Sequence, residues 1–117
     1  MPLQANVASG REDFSRATLV RLEIQERFVK DKIATEFYNA KSALAAAALR
    51  SEVTQKETEL AKKLEQGERV RFRQGDSNQL FVNIREQATA DAAVREVEAL
   101  AEYHKSLANL KAALGES

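Results

Sequence analysis

Arg71-Phe72-Arg73-Gln74-Gly75-Asp76-Ser77-Asn78-Gln79-Leu80 is the one place where two long helical patterns meet. On either side, the chain reads as helix with little interruption. Gly75 supplies a terminator, since glycine takes the left-handed conformation that ends helices at no steric cost. Asp76, with Gln79 three residues later, has the spacing of a capping box that starts a new helix. A single tight turn between two helices predicts an antiparallel pair.

Working back from the turn, the helical pattern covers residues 11–72, roughly 60 residues or on the order of 90 Å of helix. Ser9 followed by Glu12 has the spacing of a capping box at its start, so residues 1–10, which carry Pro2, are expected to be an extended lead-in. Glu23/Arg27, Glu26/Lys30, Glu52/Lys56 and Glu59/Lys63 place an acid four residues before a base. Each such pair adds about 0.2–0.5 kcal/mol on an exposed helix face. Gly67 admits two readings, a close helix approach or a kink and early stop, with a propensity cost of about 1 kcal/mol relative to alanine. Forward from the turn at residues 73–78, the second helix is expected over residues 79–114, with Gly115 closing it.

The apolar residues of the first helix follow two series rather than one. Leu19, Leu22, Val29, Ile33, Phe37, Ala40, Leu44 and Ala47 form the first; Ile24, Phe28, Tyr38, Ala45, Leu49, Val53, Leu60 and Val70 form the second. Both are built on the spacings of three and four that a coiled-coil seam requires. Their offset of five residues is about 140° around the helix. The second helix again shows two series, Leu80, Ile84, Val94, Ala101, Ala108 and Ala112 beside Ala90, Ala93, Val97, Leu100, Leu107 and Leu114. Two seams imply two neighbours for each helix, one more than a simple hairpin offers. The second helix is also much shorter than the first, which leaves the N-terminal third of the first without an internal partner. The fold class is therefore all-α, a long antiparallel helical hairpin of coiled-coil type.

Composition agrees. The 117 residues include one Pro, four Gly and no Trp, a profile of helices rather than sheet. Lys plus Arg and Asp plus Glu both number 18, so no net field steers nucleic acid or an anionic membrane. With no cysteine, disulfides and thiolate chemistry are excluded. The opening Met1-Pro2-Leu3-Gln4 has neither a basic nor an apolar signal region. No stretch reaches the roughly 18 apolar residues of a membrane helix. The sequence is expected to be soluble as it stands.

Catalytic candidates are few. His104 lies on a seam between Leu100 and Leu107, where packing is the simpler role. Glu98 and Glu102 evoke a di-metal carboxylate bundle, yet such a site wants a Glu-x-x-His motif, and Ala101 stands three before His104. No phosphate loop, dinucleotide fingerprint or metal-ligand spacing is present, so neither an enzyme nor a cofactor or metal is expected. Lys62, Lys63 and Arg69 are interleaved with Glu65 and Glu68 and form a solvated face. Arg71 and Arg73 differ, because they flank Phe72 at a loop tip where partner contact is expected.

The helix, tip and helix resemble the periplasmic hairpin of the TolC-like outer-membrane efflux factors. Four patterns carry the resemblance. Met1-Pro2-Leu3-Gln4 is similar to the family's strand end leading into helix. The turn Arg71-Phe72-Arg73-Gln74-Gly75-Asp76-Ser77-Asn78-Gln79-Leu80 resembles its aromatic-x-x-Gly tip. Leu80-Phe81-Val82-Asn83-Ile84-Arg85-Glu86-Gln87 resembles the segment climbing away from that tip. Tyr103 with Leu107-Ala108-Asn109-Leu110-Lys111-Ala112-Ala113-Leu114-Gly115 resembles its closing Tyr, Leu and Ala-Leu-Gly.

The resemblance implies a fragment of an α-barrel from an outer-membrane and periplasmic protein of a Gram-negative bacterium. Its trimer would export substrates passively, and its hairpin tips would meet a periplasmic adaptor, the membrane fusion protein of a tripartite pump. Arg71, Phe72, Arg73, Gly75, Asp76, Ser77 and Asn78 are then the partner-binding residues. Phe81 and Ile84 stand where some members place acids lining a pore constriction, so no acidic gate is carried over. The fragment itself would not insert into the membrane, and its unpaired seams would drive self-association. Two other classes remain, a free-standing coiled-coil scaffold and a small metal- or ligand-binding helical bundle.

Overall fold

The computed structural model describes residues 2–116, with side chains described for residues 5–116. It contains two helices, α1 (Pro2–Arg73) and α2 (Gln79–Ala113). Among the described residues there is no strand, and no helix is long and apolar enough to cross a membrane. The chain divides into two units, Met1–Tyr38 and Asn39–Ser117.

The start of α1 corrects the expected lead-in over residues 1–10. Helix begins at Pro2, so Ser9 lies inside α1 and does not cap it, and Pro2, Leu3 and Gln4 are helical rather than a strand end. Proline in a first helical turn loses nothing, because its missing N–H would have no partner there in any case. Between Pro2 and Arg11 the residue that most disfavours helix is Gly10, and a single glycine costs about 1 kcal/mol. The expectation for Met1 lies outside the described residues. Within the first unit every described side chain is exposed, including Phe14, Leu19, Ile24, Phe28 and Tyr38.

The second unit is the hairpin. Its α2 has 35 residues, matched by residues 39–73 of α1. Arg69 Nη2 meets Glu86 Oε1 at 2.8 Å, and Arg95 Nε approaches Glu57 Oε2 at 3.8 Å. As position falls along α1 it rises along α2, so the two run antiparallel. Gly67 does not end α1, and beyond its own stretch of helix backbone no atom comes within 4 Å of where its side chain would begin.

Packing follows one strict seam. On α1 the covered residues are Ala40, Leu44, Ala47, Ser51, Thr54, Thr58, Ala61, Glu65 and Glu68. On α2 the row Val82, Arg85, Thr89, Ala92, Glu96, Ala99, Tyr103, Ser106 and Leu110 is covered. Both rows alternate spacings of three and four throughout, the repeat that keeps two helices in register. In the register set by the two cross-helix ion pairs, Thr54 falls level with Ala99, and Ala61 with Ala92.

This seam corrects the expected ones. The first series of α1 enters it through Ala40, Leu44 and Ala47. Beyond Ala47, small and polar residues continue the seam while Leu49, Val53, Leu60 and Val70 stay exposed. On α2 neither apolar series is the seam. Leu80, Ile84, Val94, Val97 and Leu100 are all exposed, and only Ala93 and Leu107 are half-covered at its edge. Small residues win because helices can approach closely along them, whereas large side chains on the same face would hold the pair apart.

The buried hydroxyls do not need the partner helix. Thr54 Oγ1 donates to Arg50 O at 2.9 Å, Thr58 Oγ1 to Thr54 O at 3.1 Å and Thr89 Oγ1 to Arg85 O at 3.0 Å. Bonding within their own helix lets threonines sit in the seam without an unsatisfied polar group. Outside, Lys30 pairs with Glu26 and Lys56 with Glu52 on solvated faces, contacts worth a few tenths of a kcal/mol each.

Where the seam is lined by small residues, as around Ala99, a large one has little room. Ala99→Leu should destabilise the hairpin by about 1–3 kcal/mol through overpacking, read as a fall in the thermal midpoint of helical circular dichroism. The neighbouring Leu100→Ala removes a larger but exposed side chain and should shift stability by no more than about 0.5 kcal/mol. A stabilised Ala99→Leu variant would contradict the seam.

Candidate functional site

The tip is built from two backbone devices. The last turn of α1 closes as a paired-bond C-cap. Gly75 N–H donates to Phe72 O at 3.1 Å and Asp76 N–H to Arg71 O at 2.8 Å, the two bonds of a Schellman motif. The motif requires a left-handed residue between them, and Gly75 has φ of 83°. The end of α2 repeats the device, with Gly115 at φ 76°, Gly115 N–H on Ala112 O at 3.0 Å and Glu116 N–H on Lys111 O at 2.9 Å. Both glycines therefore terminate helices as the sequence suggests.

The cap of α2 differs from expectation. Asn78, not Asp76, is the capping residue: its backbone is extended, and Phe81 N–H donates to Asn78 Oδ1 at 3.0 Å. Asp76 lies three residues before Gln79, where α2 begins, so its carboxylate is out of register to cap that helix, and its N–H instead completes the C-cap of α1. Gln79 does not reach back as a capping-box partner would; its side-chain amide donates to Asn83 Oδ1 at 2.9 Å. The five-residue link between the helices thus divides its labour, Gly75 and Asp76 ending one and Asn78 opening the next.

These roles sort the seven candidate residues. Gly75 and Asn78 shape the turn. Arg71 braces it, with Nη1 3.3 Å from Glu68 Oε2 and Nη2 donating to Asp76 O at 3.1 Å. Glu68 is buried against the hairpin, and this guanidinium meets its charge. Ser77 is half-buried, and its Oγ has no hydrogen-bond partner among the described residues. Phe72, Arg73 and the Asp76 side chain are exposed, and Arg73 makes no ion pair among the described residues. The side chains left free at the tip are therefore those of Phe72, Arg73 and Asp76. Leu80 and Phe81 extend this set, since both are exposed at the start of α2.

Just inside the tip, Arg69 forms a clasp that sequence spacing did not reveal. Its Nη2 lies 3.2 Å from Glu65 Oε2 and 2.8 Å from Glu86 Oε1. The Glu65/Arg69 pair is a helical i,i+4 contact legible in sequence, whereas Glu86 is brought in by the turn. Elsewhere, His104 is exposed and stacks edge-on against Tyr103 with ring centroids 5.5 Å apart. Glu98 and Glu102 line a shallow groove together with Arg50 and Arg95. Two guanidinium groups in that groove already supply the positive charge a bound cation would bring. Among the described residues no group of three His, Cys, Asp or Glu side chains is placed to hold a metal.

The two caps can be told apart by substitution. Asn78→Ala should cost about 1 kcal/mol of hairpin stability, while Asp76→Ala should leave stability within about 0.5 kcal/mol. Denaturant unfolding followed by circular dichroism reads both. A larger loss for Asp76→Ala would restore it as the cap.

Compared with protein-family models, curated proteins and solved structures, the chain finds no match.

Proposed function

We propose that this hairpin is part of the periplasmic α-barrel of a TolC-like outer-membrane efflux channel, where it lines a passive export duct and docks a periplasmic adaptor through its tip. The observation that carries the proposal is the placement of apolar bulk. Between residues 39 and 113 every Leu, Ile, Val and Phe is exposed except Leu44, Val82, Leu107 and Leu110. A hairpin that worked alone would bury these side chains in its seam. Here the most covered seam positions are mainly Ala, Ser and Thr, and most of the large apolar residues face outward on both helices. Surfaces of that kind mark interaction sites. A barrel wall, in which each helix has two neighbours, would cover them.

The tip fits the docking role by its division of labour. Arg71, Gly75 and Asn78 hold the turn rigid, and Phe72 and Arg73 stand free beside it. An aromatic and an arginine together are the residue types that dominate binding hot spots. Three of the four sequence patterns behind the family resemblance, the turn, the climbing segment and the closing Tyr-to-Gly stretch, support this reading. The opening pattern does not, since Pro2–Gln4 is helical. The exported substrate and the pump partner would be set by other parts of such an assembly.

The test uses the full-length protein that contains this hairpin, with export of a toxic compound as readout and the amount of protein in the outer membrane as control. Arg73→Glu should impair export without lowering that amount, because Arg73 makes no contact that holds the turn. Gly75→Pro should impair export as well, since proline is locked near φ of about −65° and cannot adopt the left-handed turn. Normal export with both variants would remove the tip interface. Absence of the parent protein from the outer membrane would instead favour a free-standing coiled-coil scaffold.

A further inference from the structure

The N-terminal unit carries an apolar stripe that the hairpin seam does not use. It runs at alternating spacings of three and four through Phe14, Ala17, Arg21, Ile24, Phe28, Asp31, Thr35 and Tyr38. Phe14 at 74%, Tyr38 at 68%, Phe28 at 67% and Ile24 at 62% are the most exposed large apolar residues of that unit. The most exposed large apolar residues of the unit thus fall on one face with a coiled-coil period. A lone helix is marginal in water and is stabilised chiefly by covering such a face.

We infer that the occupant is a second copy of this chain, packed antiparallel over residues 14–38 about a two-fold axis level with residue 26. The charges on the stripe decide the orientation. Arg21 and Asp31 are its only charged residues, and neither has an ion-pair partner among the described residues. About that axis Arg21 falls opposite Asp31 of the second copy, twice by symmetry. The same register sets Phe14 opposite Tyr38 and Ile24 opposite Phe28, so every remaining large residue meets an apolar one.

Competing arrangements lose this match. Sliding the copy by one heptad places Arg21 opposite Tyr38 or Ile24 and leaves two charges of each chain unpaired in an apolar seam. A parallel in-register pair sets Arg21 against Arg21 and Asp31 against Asp31. A polar pair inside a coiled-coil seam specifies register and orientation in this way, at some cost in stability. Arg27 meets its own copy beside the seam, where Glu23 and Glu26 of its own helix offset the repulsion. The pairing is one of the chain on its own; a duct, whose copies all run in the same direction, would cover the stripe with other helices.

The experiment is a charge swap on the whole chain, followed by sedimentation equilibrium. The unaltered chain should dimerise with concentration. Arg21→Asp alone sets carboxylates face to face in both charged layers, and Asp31→Arg alone sets guanidinium groups there. Each should weaken dimerisation on the order of tenfold or more, and the double swap should restore it. Orientation is read separately, because the chain has no cysteine of its own. Ala17→Cys chains mixed with Thr35→Cys chains should oxidise to the mixed disulfide in preference to either homodisulfide. A strict monomer, single swaps without effect, a double swap as weak as the singles, or dominant homodisulfides would each overturn the pairing.

Discussion

The close approach of residues 39–73 to α2 along a seam of small side chains is the constraint on which the hairpin depends. Ala47, Thr54, Thr58, Ala92, Ala99 and Ser106 are its most covered small residues. Little apolar area is buried per layer, at roughly 25 cal/mol per Å², so the seam gives geometry more than stability. With small residues at most of its positions, the seam leaves most of the large apolar ones outside. The exposed Leu and Val flanks follow directly.

The turn is the second consequence. A strict seam fixes the register between the helices, and the link from Gln74 to Asn78 must close without disturbing it. Gly75 does this with a left-handed backbone, and Asp76 spends its N–H on the end of α1. Asn78, directly before the first residue of α2, caps it through its side-chain oxygen. The ion pairs Arg69–Glu86 and Arg71–Glu68 gather around this point. The result is a braced tip whose free side chains, Phe72 and Arg73, are spared structural work. That separation is what makes a docking surface physically reasonable there.

The places where sequence and structure diverge share one cause. Large apolar residues at helical spacing mark a face that will be covered, but they do not say by what. On α2 the Leu80 series and the Val97 series both promise a seam, and the hairpin uses neither. Ala92, Ala99 and Ser106 carry the seam yet look unremarkable in sequence, because small residues signal close approach only once a facing helix is known. The start of α1 diverged for a local reason, since Pro2 is as acceptable in a first helical turn as in an extended segment. Asp76 and Asn78 are both good cap residue types, and the start of α2 at Gln79 chooses between them.

By itself, the amino-acid sequence determined the two helices, the turn at Gly75, the glycine stop at Gly115 and the surplus of apolar faces. These rest on local rules of backbone conformation and periodicity, which operate within a few residues. Only the tertiary structure decided which face becomes the seam, which residue caps α2 and that Arg69 reaches Glu86. Each of these depends on the register between segments far apart in the chain, and register is a property of two packed helices rather than of either one.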